Sequence, residues 1–232
     1  MNSNLSQREK ECFRLLSLIP RDKDYVVIGG YSVSSYGFPR FSVDLDIVIP
    51  DGEVSFFKKI ITGEGFVLDK QKNDLDYGGK FERYVKDLLS IDFLINAVQS
   101  RQTGYSYSFS YLFDNSEVRD ISGWDPTLKV KIRVPHKEMI IALKIHSMRS
   151  ADKRDIIMLC YEKPDQKKIK DHLENCPKQK IKDNIVELKD VINNQNLKDS
   201  LKGVFSINDQ IFNKSIQNCL SMLEYLLKNL DF

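Results

Sequence analysis

No run of about 18 apolar residues occurs in the 232-residue chain, which excludes a membrane-spanning helix as its organising element. The opening residues, MNSNLSQREKE, carry neither the basic nor the apolar stretch of a secretory signal, so a cytoplasmic protein without a membrane partner is expected. Four cysteines, Cys12, Cys160, Cys176 and Cys219, are scattered with no C-x-x-C pair, which argues against a disulfide framework and a thiolate zinc site. His136, His146 and His172 show no H-E-x-x-H spacing and read as ordinary surface or helix-end residues. Neither a P-loop nor a G-x-S-x-G signature appears. The net charge of +2 is too small to point to nucleic acid by itself.

Hydrophobic residues make up 41% of the chain, enough for a core, and their spacing divides it in two. Ser6 to Glu9 reads as a capping box opening an N-terminal helix that Pro20 stops. YVVIGG is a short strand closed by glycines, YSVSSYG allows about two helical turns, and a strand is expected from Val43 to Ile49. EVSFFKKIITGEGF reads as a helix, FVLD as a strand, and KQKNDLDYGGK as a polar loop. FERYVKD and LLSIDFLINA would then pair as a hairpin. Gln102 to Arg133, with YSYSFSYLF and LKVKIRV, predicts more strand. From Pro135, a suitable first helical residue, the pattern is helical to a last stripe beginning near Ser206. The expected fold class is α+β, with a mixed α/β domain over 1–134 and a helical C-terminal domain over 135–232.

The anomaly lies in GGYSVSSYGFPRFSVDLDIVI, Gly29 to Ile49. A strand has period two, so Asp44 and Asp46 share one face while Leu45, Ile47 and Ile49 share the other. Two carboxylates side by side repel, and partial burial costs several kcal/mol unless something positive lies between them. Either they stand at a wet strand end, or they hold a hard divalent cation such as Mg²⁺ or Mn²⁺. Asp92 repeats the anomaly in LLSIDFLINA, and would join them if its strand were a neighbour. Gly29 and Gly30 end a strand and open a helix, where backbone can approach a phosphate; a plain tight turn would use the same residues.

The order of strand, G-G, short helix, D-x-D fourteen residues after Gly30, and a later lone Asp resembles the signature of the DNA polymerase β-like nucleotidyltransferase superfamily. GG…R-x-S-x-D-L-D is most similar to minimal nucleotidyltransferases of the AbiEii and MenA type. The resemblance implies a mixed sheet flanked by helices and transfer of a nucleoside monophosphate from an NTP to an acceptor hydroxyl, releasing pyrophosphate. It also implies that Asp44, Asp46 and Asp92 bind Mg²⁺ (Mn²⁺ being possible) and carry catalysis, with Asp92 helping to deprotonate the acceptor. Gly29, Gly30, Ser32 and Arg40 would then meet the nucleotide. Ser42 reads as a local cap or turn residue.

VPHKEMIIALKIHSMRSADKRD also resembles that subgroup, whose helical lysine and following R-x-x-D-like run line the nucleotide pocket. Lys144 is accordingly a candidate for the triphosphate, or else a lysine laying its stem past apolar neighbours. Arg154 and Asp155 could contact phosphate or form a structural ion pair. Lys129 to Arg154 holds eight Lys or Arg against Glu138 and Asp152, which tilts the expected acceptor toward RNA, tRNA first, with a protein hydroxyl also possible. Two other classes remain open: an inactive binding or regulatory protein of a toxin–antitoxin-like pair, and a D-x-D glycosyltransferase, in which the early G-G has no role.

Overall fold

Alternation along three short segments builds the centre of the protein, whose computed structural model describes residues 3–42, 44–194 and 197–230. Helix α1 (Ser3–Ser17) is followed by strand β1 (Val26–Ile28), helix α2 (Gly29–Ser34), strand β2 (Asp44–Ile49) and helix α3 (Val54–Gly63). Strands β3 (Val67–Leu75), β4 (Gly79–Lys86) and β5 (Leu89–Ile95) complete a five-stranded sheet of order β1-β2-β5-β4-β3. Only β2 and β5 run parallel; the other neighbours are antiparallel. Leu45, Ile47, Ile91, Phe93 and Ile95 point into one core with Phe13 and Leu16 of α1 and Phe57 and Ile61 of α3. Phe93 lies at its middle, 5.9 Å from Phe57 and 5.6 Å from Tyr84, ring centre to ring centre.

The chain continues through β6 (Ala97–Gln99), β7 (Ser106–Ser108), α4 (Phe109–Asp114) and the hairpin β8 (Ser116–Ser122) and β9 (Lys129–Pro135). Among the described residues six helices follow: α5 (Lys137–Ser147), α6 (Ser150–Leu159), α7 (Gln166–Leu173), α8 (Lys178–Ile192), α9 (Leu197–Phe205) and α10 (Asp209–Asn229). Contacts divide the protein into one unit of Met1–Gln99 with Ser106–His136, and another of Ser100–Tyr105 with Lys137–Phe232. The small insert departs from two contiguous halves because Ser100 Oγ donates to the His146 carbonyl and Thr103 Oγ1 lies 2.7 Å from His146 Nδ1. Among the described residues no helix is long and apolar enough to cross a membrane.

Several expectations are corrected. The first helix starts at Ser3, so Ser6 and Glu9 lie inside it rather than at its cap; the buried Glu9 carboxylate instead accepts from the Trp124 and Asp125 amides. Of the stretch read as a polar loop after FVLD, Lys70 to Leu75 belong to β3, an edge strand exposed almost throughout and therefore without apolar alternation, and Gly79 and Lys80 open β4. Part of the aromatic run forms α4, capped by Ser108, and Pro135 closes β9 instead of opening a helix. His146 and His172 are buried. Burial pushes the His146 pKa down to about 4. Val43, the expected first residue of β2, lies outside the described residues.

Phe93→Ala should destabilise the protein by about 3–5 kcal/mol, measured by urea unfolding, because it empties the point where α3 meets the sheet.

Candidate active site

Register across the sheet assembles the site. Asp46 stands opposite Ile28 on β1 and opposite Asp92 on β5, while Asp44 stands opposite Ser90. Cross-strand partners share a face, so the Asp44, Asp46 and Asp92 side chains leave the sheet on the side away from the Leu45, Ile47 and Phe93 core. The neighbourhood of β2 and β5 expected from the two interrupted apolar runs is thus present. Ser90 Oγ donates a hydrogen bond to Asp44 Oδ1.

The glycines close the other side. Gly29 has φ +73°, and a β-carbon there would lie 2.3 Å from Asp46 Oδ2. A β-carbon on Gly30 would lie 2.7 Å from Ser42 Oγ and 3.0 Å from Arg40 Nη1. Both positions therefore require glycine, the first for conformation and space and the second for space. Arg40 is half-buried, with Nη1 donating to the Phe41 carbonyl at 3.1 Å. Ser42 Oγ donates to the Asp44 carbonyl, the local turn role expected of it. Ser32 is fully buried and its hydroxyl donates to the Gly29 carbonyl at 2.8 Å, which braces the turn.

Asp92 has a partner that sequence reading missed. Arg83 on β4 stands opposite it in the β4–β5 register, and its Nε and Nη2 donate to the two carboxylate oxygens at 2.7 and 2.6 Å. This bidentate fork is a strong, planar arrangement. The Asp92 hydrogen bonds raise the Arg83 pKa against the opposing effect of burial, and the charges of Asp92, Asp44 and Asp46 add to the rise. Arg83 could have been found: the two-residue turn at Asp87 and Leu88 pairs Lys86 with Leu89, and counting back pairs Arg83 with Asp92.

Asp44 and Asp46 suit a hard divalent cation in donor chemistry and in sharing a face. Asp92 has both oxygens on Arg83, and among the described residues no group of three His, Cys, Asp or Glu is gathered to hold a metal ion. The three aspartates are neighbours without being a ready-made cage.

Lys144 and Arg154 belong to the helical unit. Lys144 is only 5% exposed, and its ammonium lies 3.0 Å from Asp152 Oδ1 and 2.7 Å from Asp155 Oδ2. The triphosphate role expected for Lys144 does not fit, because its charge neutralises two buried carboxylates. Burial acts to raise the Asp152 pKa, but Lys144 and Arg149 outweigh it and hold the group at about 2. Arg154 donates from Nη1 to Ser200 Oγ at 3.2 Å. Other charges of the basic segment have internal partners too: Lys131 with Asp120, Arg133 with Ser116, Lys137 with the Glu162 carbonyl and Lys153 with Glu187.

Gly29→Ala should cost about 1–3 kcal/mol in urea unfolding, whereas Gly63→Ala, whose added methyl meets nothing within 4 Å, should be neutral or mildly stabilising. Lys144→Met should cost about 3–5 kcal/mol by orphaning buried carboxylates. The depressed Asp152 pKa means its contribution is present above about pH 4 and is lost as pH falls toward 2. That acid-dependent loss should be smaller in Lys144→Met, read as unfolding free energy against pH.

No protein-family model and no curated protein matches the sequence. Solved structures do resemble it. One, from H. pylori and provisionally described as a nucleotidyltransferase, aligns over 98% of this chain and 98% of its own with a TM-score of 0.50 at 16% identity. The lincomycin-bound lincosamide antibiotic adenylyltransferase LnuA aligns over 64% of this chain and 93% of its own, with a TM-score of 0.42 at 19% identity. A provisionally described nucleotidyltransferase from Thermotoga maritima aligns over 60% and 81%, with a TM-score of 0.41 at 15% identity. The full-length likeness to the H. pylori structure is one of fold, and the α+β fold expected from the glycine and aspartate pattern is the fold the chain adopts.

Proposed function

We propose that the protein is a metal-dependent nucleotidyltransferase that moves a nucleoside monophosphate from an NTP to an acceptor hydroxyl and releases pyrophosphate. The observation that carries this reading is the contact between the two halves of the motif: the Gly29 backbone lies against the Asp46 carboxylate, with Asp44 on the same strand face. A phosphate held at Gly29 and Gly30 would therefore lie beside the carboxylates that hold its counter-ion.

Asp44 and Asp46 would hold Mg²⁺, or Mn²⁺, which when bound supplies charge stabilisation at the entering and leaving oxygens. Backbone at Gly29 and Gly30 would take the phosphates, with the Arg40 guanidinium beside Gly30 adding positive charge. Ser90 orients Asp44 through its hydrogen bond. Asp92, one strand over, would accept the proton of the acceptor hydroxyl. The acceptor is defined by that hydroxyl. The basic segment that tilted the expectation toward RNA has many of its charges paired within the protein, so RNA stands level with protein and small-molecule acceptors.

One observation favours a second reading, an inactive nucleotidyltransferase-fold regulator: Arg83 engages both oxygens of Asp92. Transfer assays separate the two. Incubation with each of the four α-labelled NTPs, Mg²⁺, and total RNA, lysate protein or small hydroxyl compounds should give label transfer that Asp44→Asn and Asp46→Asn abolish. Trp124, the single tryptophan, lies with its ring tilted 33° and 5.6 Å, centre to centre, from that of Phe41, the neighbour of Arg40, so its fluorescence should change on NTP binding. An Mg²⁺-dependent fluorescence change without transfer to any acceptor would favour the regulator; transfer unchanged in both variants would sink the enzyme reading.

A further inference from the structure

Asp92 is 5% exposed and stands one strand from Asp46, in a row that ends on β4 with Arg83. A carboxylate so buried, beside two others, needs a positive partner whether or not a metal is present. Arg83 is that partner: its fork takes both Asp92 oxygens, and the charges of Asp44 and Asp46 also act on it. Yet a cation shared by all three aspartates needs at least one of those oxygens. A guanidinium N–H and a divalent cation at the same oxygen repel each other, so uptake of the cation breaks one of the two hydrogen bonds and can keep the other.

We propose that Arg83 is the resident counter-cation of Asp92, which a divalent cation must displace from at least one carboxylate oxygen before the three aspartates can share it. This rests on the reading of Asp44 and Asp46 as cation ligands. Arg83 is thus a positioning residue: it holds the apo site together, sets how tightly the site takes up a cation, and keeps Asp92 from being an uncompensated charge.

The test is Mn²⁺ binding to the full chain, followed by calorimetry and by the Mn²⁺-induced rise in melting temperature, without nucleotide. Arg83→Gln should bind Mn²⁺ about tenfold more tightly than the wild type and show a larger rise. Arg83→Lys, which keeps the charge but loses the fork, should gain less. In an Asp92→Asn background the gain from Arg83→Gln should vanish, whereas a general loss of positive charge would persist there. Equal affinity in wild type and Arg83→Gln, a gain that survives in Asp92→Asn, or no Mn²⁺ binding by any variant would overturn the proposal. Should Arg83→Gln fail to fold, Arg83→Lys decides alone: tighter binding supports the proposal and unchanged binding overturns it. These outcomes are independent of transfer activity, so Arg83 can fail with the nucleotidyltransferase reading intact, and the converse.

Discussion

The parallel pairing of β2 with β5 is the constraint from which the rest of the site follows. It joins two strands nearly fifty residues apart and sets Asp46 beside Asp92 and Asp44 beside Ser90 in one register. A slip of one residue would turn Asp92 into the core and bring Phe93 out. The core makes that slip costly: Ile91, Phe93 and Ile95 are buried against Phe57 and Tyr84, so packing on one face fixes chemistry on the other. The antiparallel pairing of β1 with β2 then carries the chain directly from Ile28 to Gly29 against Asp46, with no freedom for a side chain at the turn.

How much of this was legible in the sequence depended on whether a residue broke a local pattern. Asp44, Asp46 and Asp92 stood out because charge interrupts period-two apolar runs, and the glycines because they end one. Arg83 broke nothing: FERYVKD is mixed throughout, and an arginine on a half-exposed strand is ordinary until its cross-strand partner is known. Ser90 was invisible for the same reason. The part of β3 from Lys70 to Leu75 escaped because an edge strand exposed almost throughout has no buried stripe to reveal it. Ser32, two residues past the glycine pair, looks like a phosphate ligand in sequence, and only the structure shows that its hydroxyl turns back to Gly29.

The basic segment shows a different limit. Counting charges along Lys129 to Arg154 suggested a polyanion surface, but charge in sequence says nothing of partners in space. Lys144 meets Asp152 and Asp155, which lie eight and eleven residues later on the next helix, so the excess is partly cancelled by residues inside and outside the counted window. Its apolar neighbours, which seemed odd for a solvent lysine, make sense for a buried ion triad. That triad serves the helical unit: an ammonium between two carboxylates, with Arg149 and Ser147 satisfying the remaining Asp152 lone pairs, is costly to break though of small net benefit against an apolar core.

The two buried carboxylate clusters therefore solve one electrostatic problem in different ways. Around Asp152 and Asp155 the compensating cation is almost completely enclosed, the hydrogen bonds are saturated, and nothing needs to move. Around Asp92 the compensating Arg83 is about a third exposed, and it stands at the β4 end of the row Arg83, Asp92, Asp46. A closed cluster stabilises a fold; a row whose cation reaches solvent can be rearranged, and this one ends next to a glycine turn with no room for a side chain. Two carboxylates on one strand face beside that turn are the physical reason to propose a cation at Asp44 and Asp46, with Arg83 setting how firmly Asp92 is held beforehand.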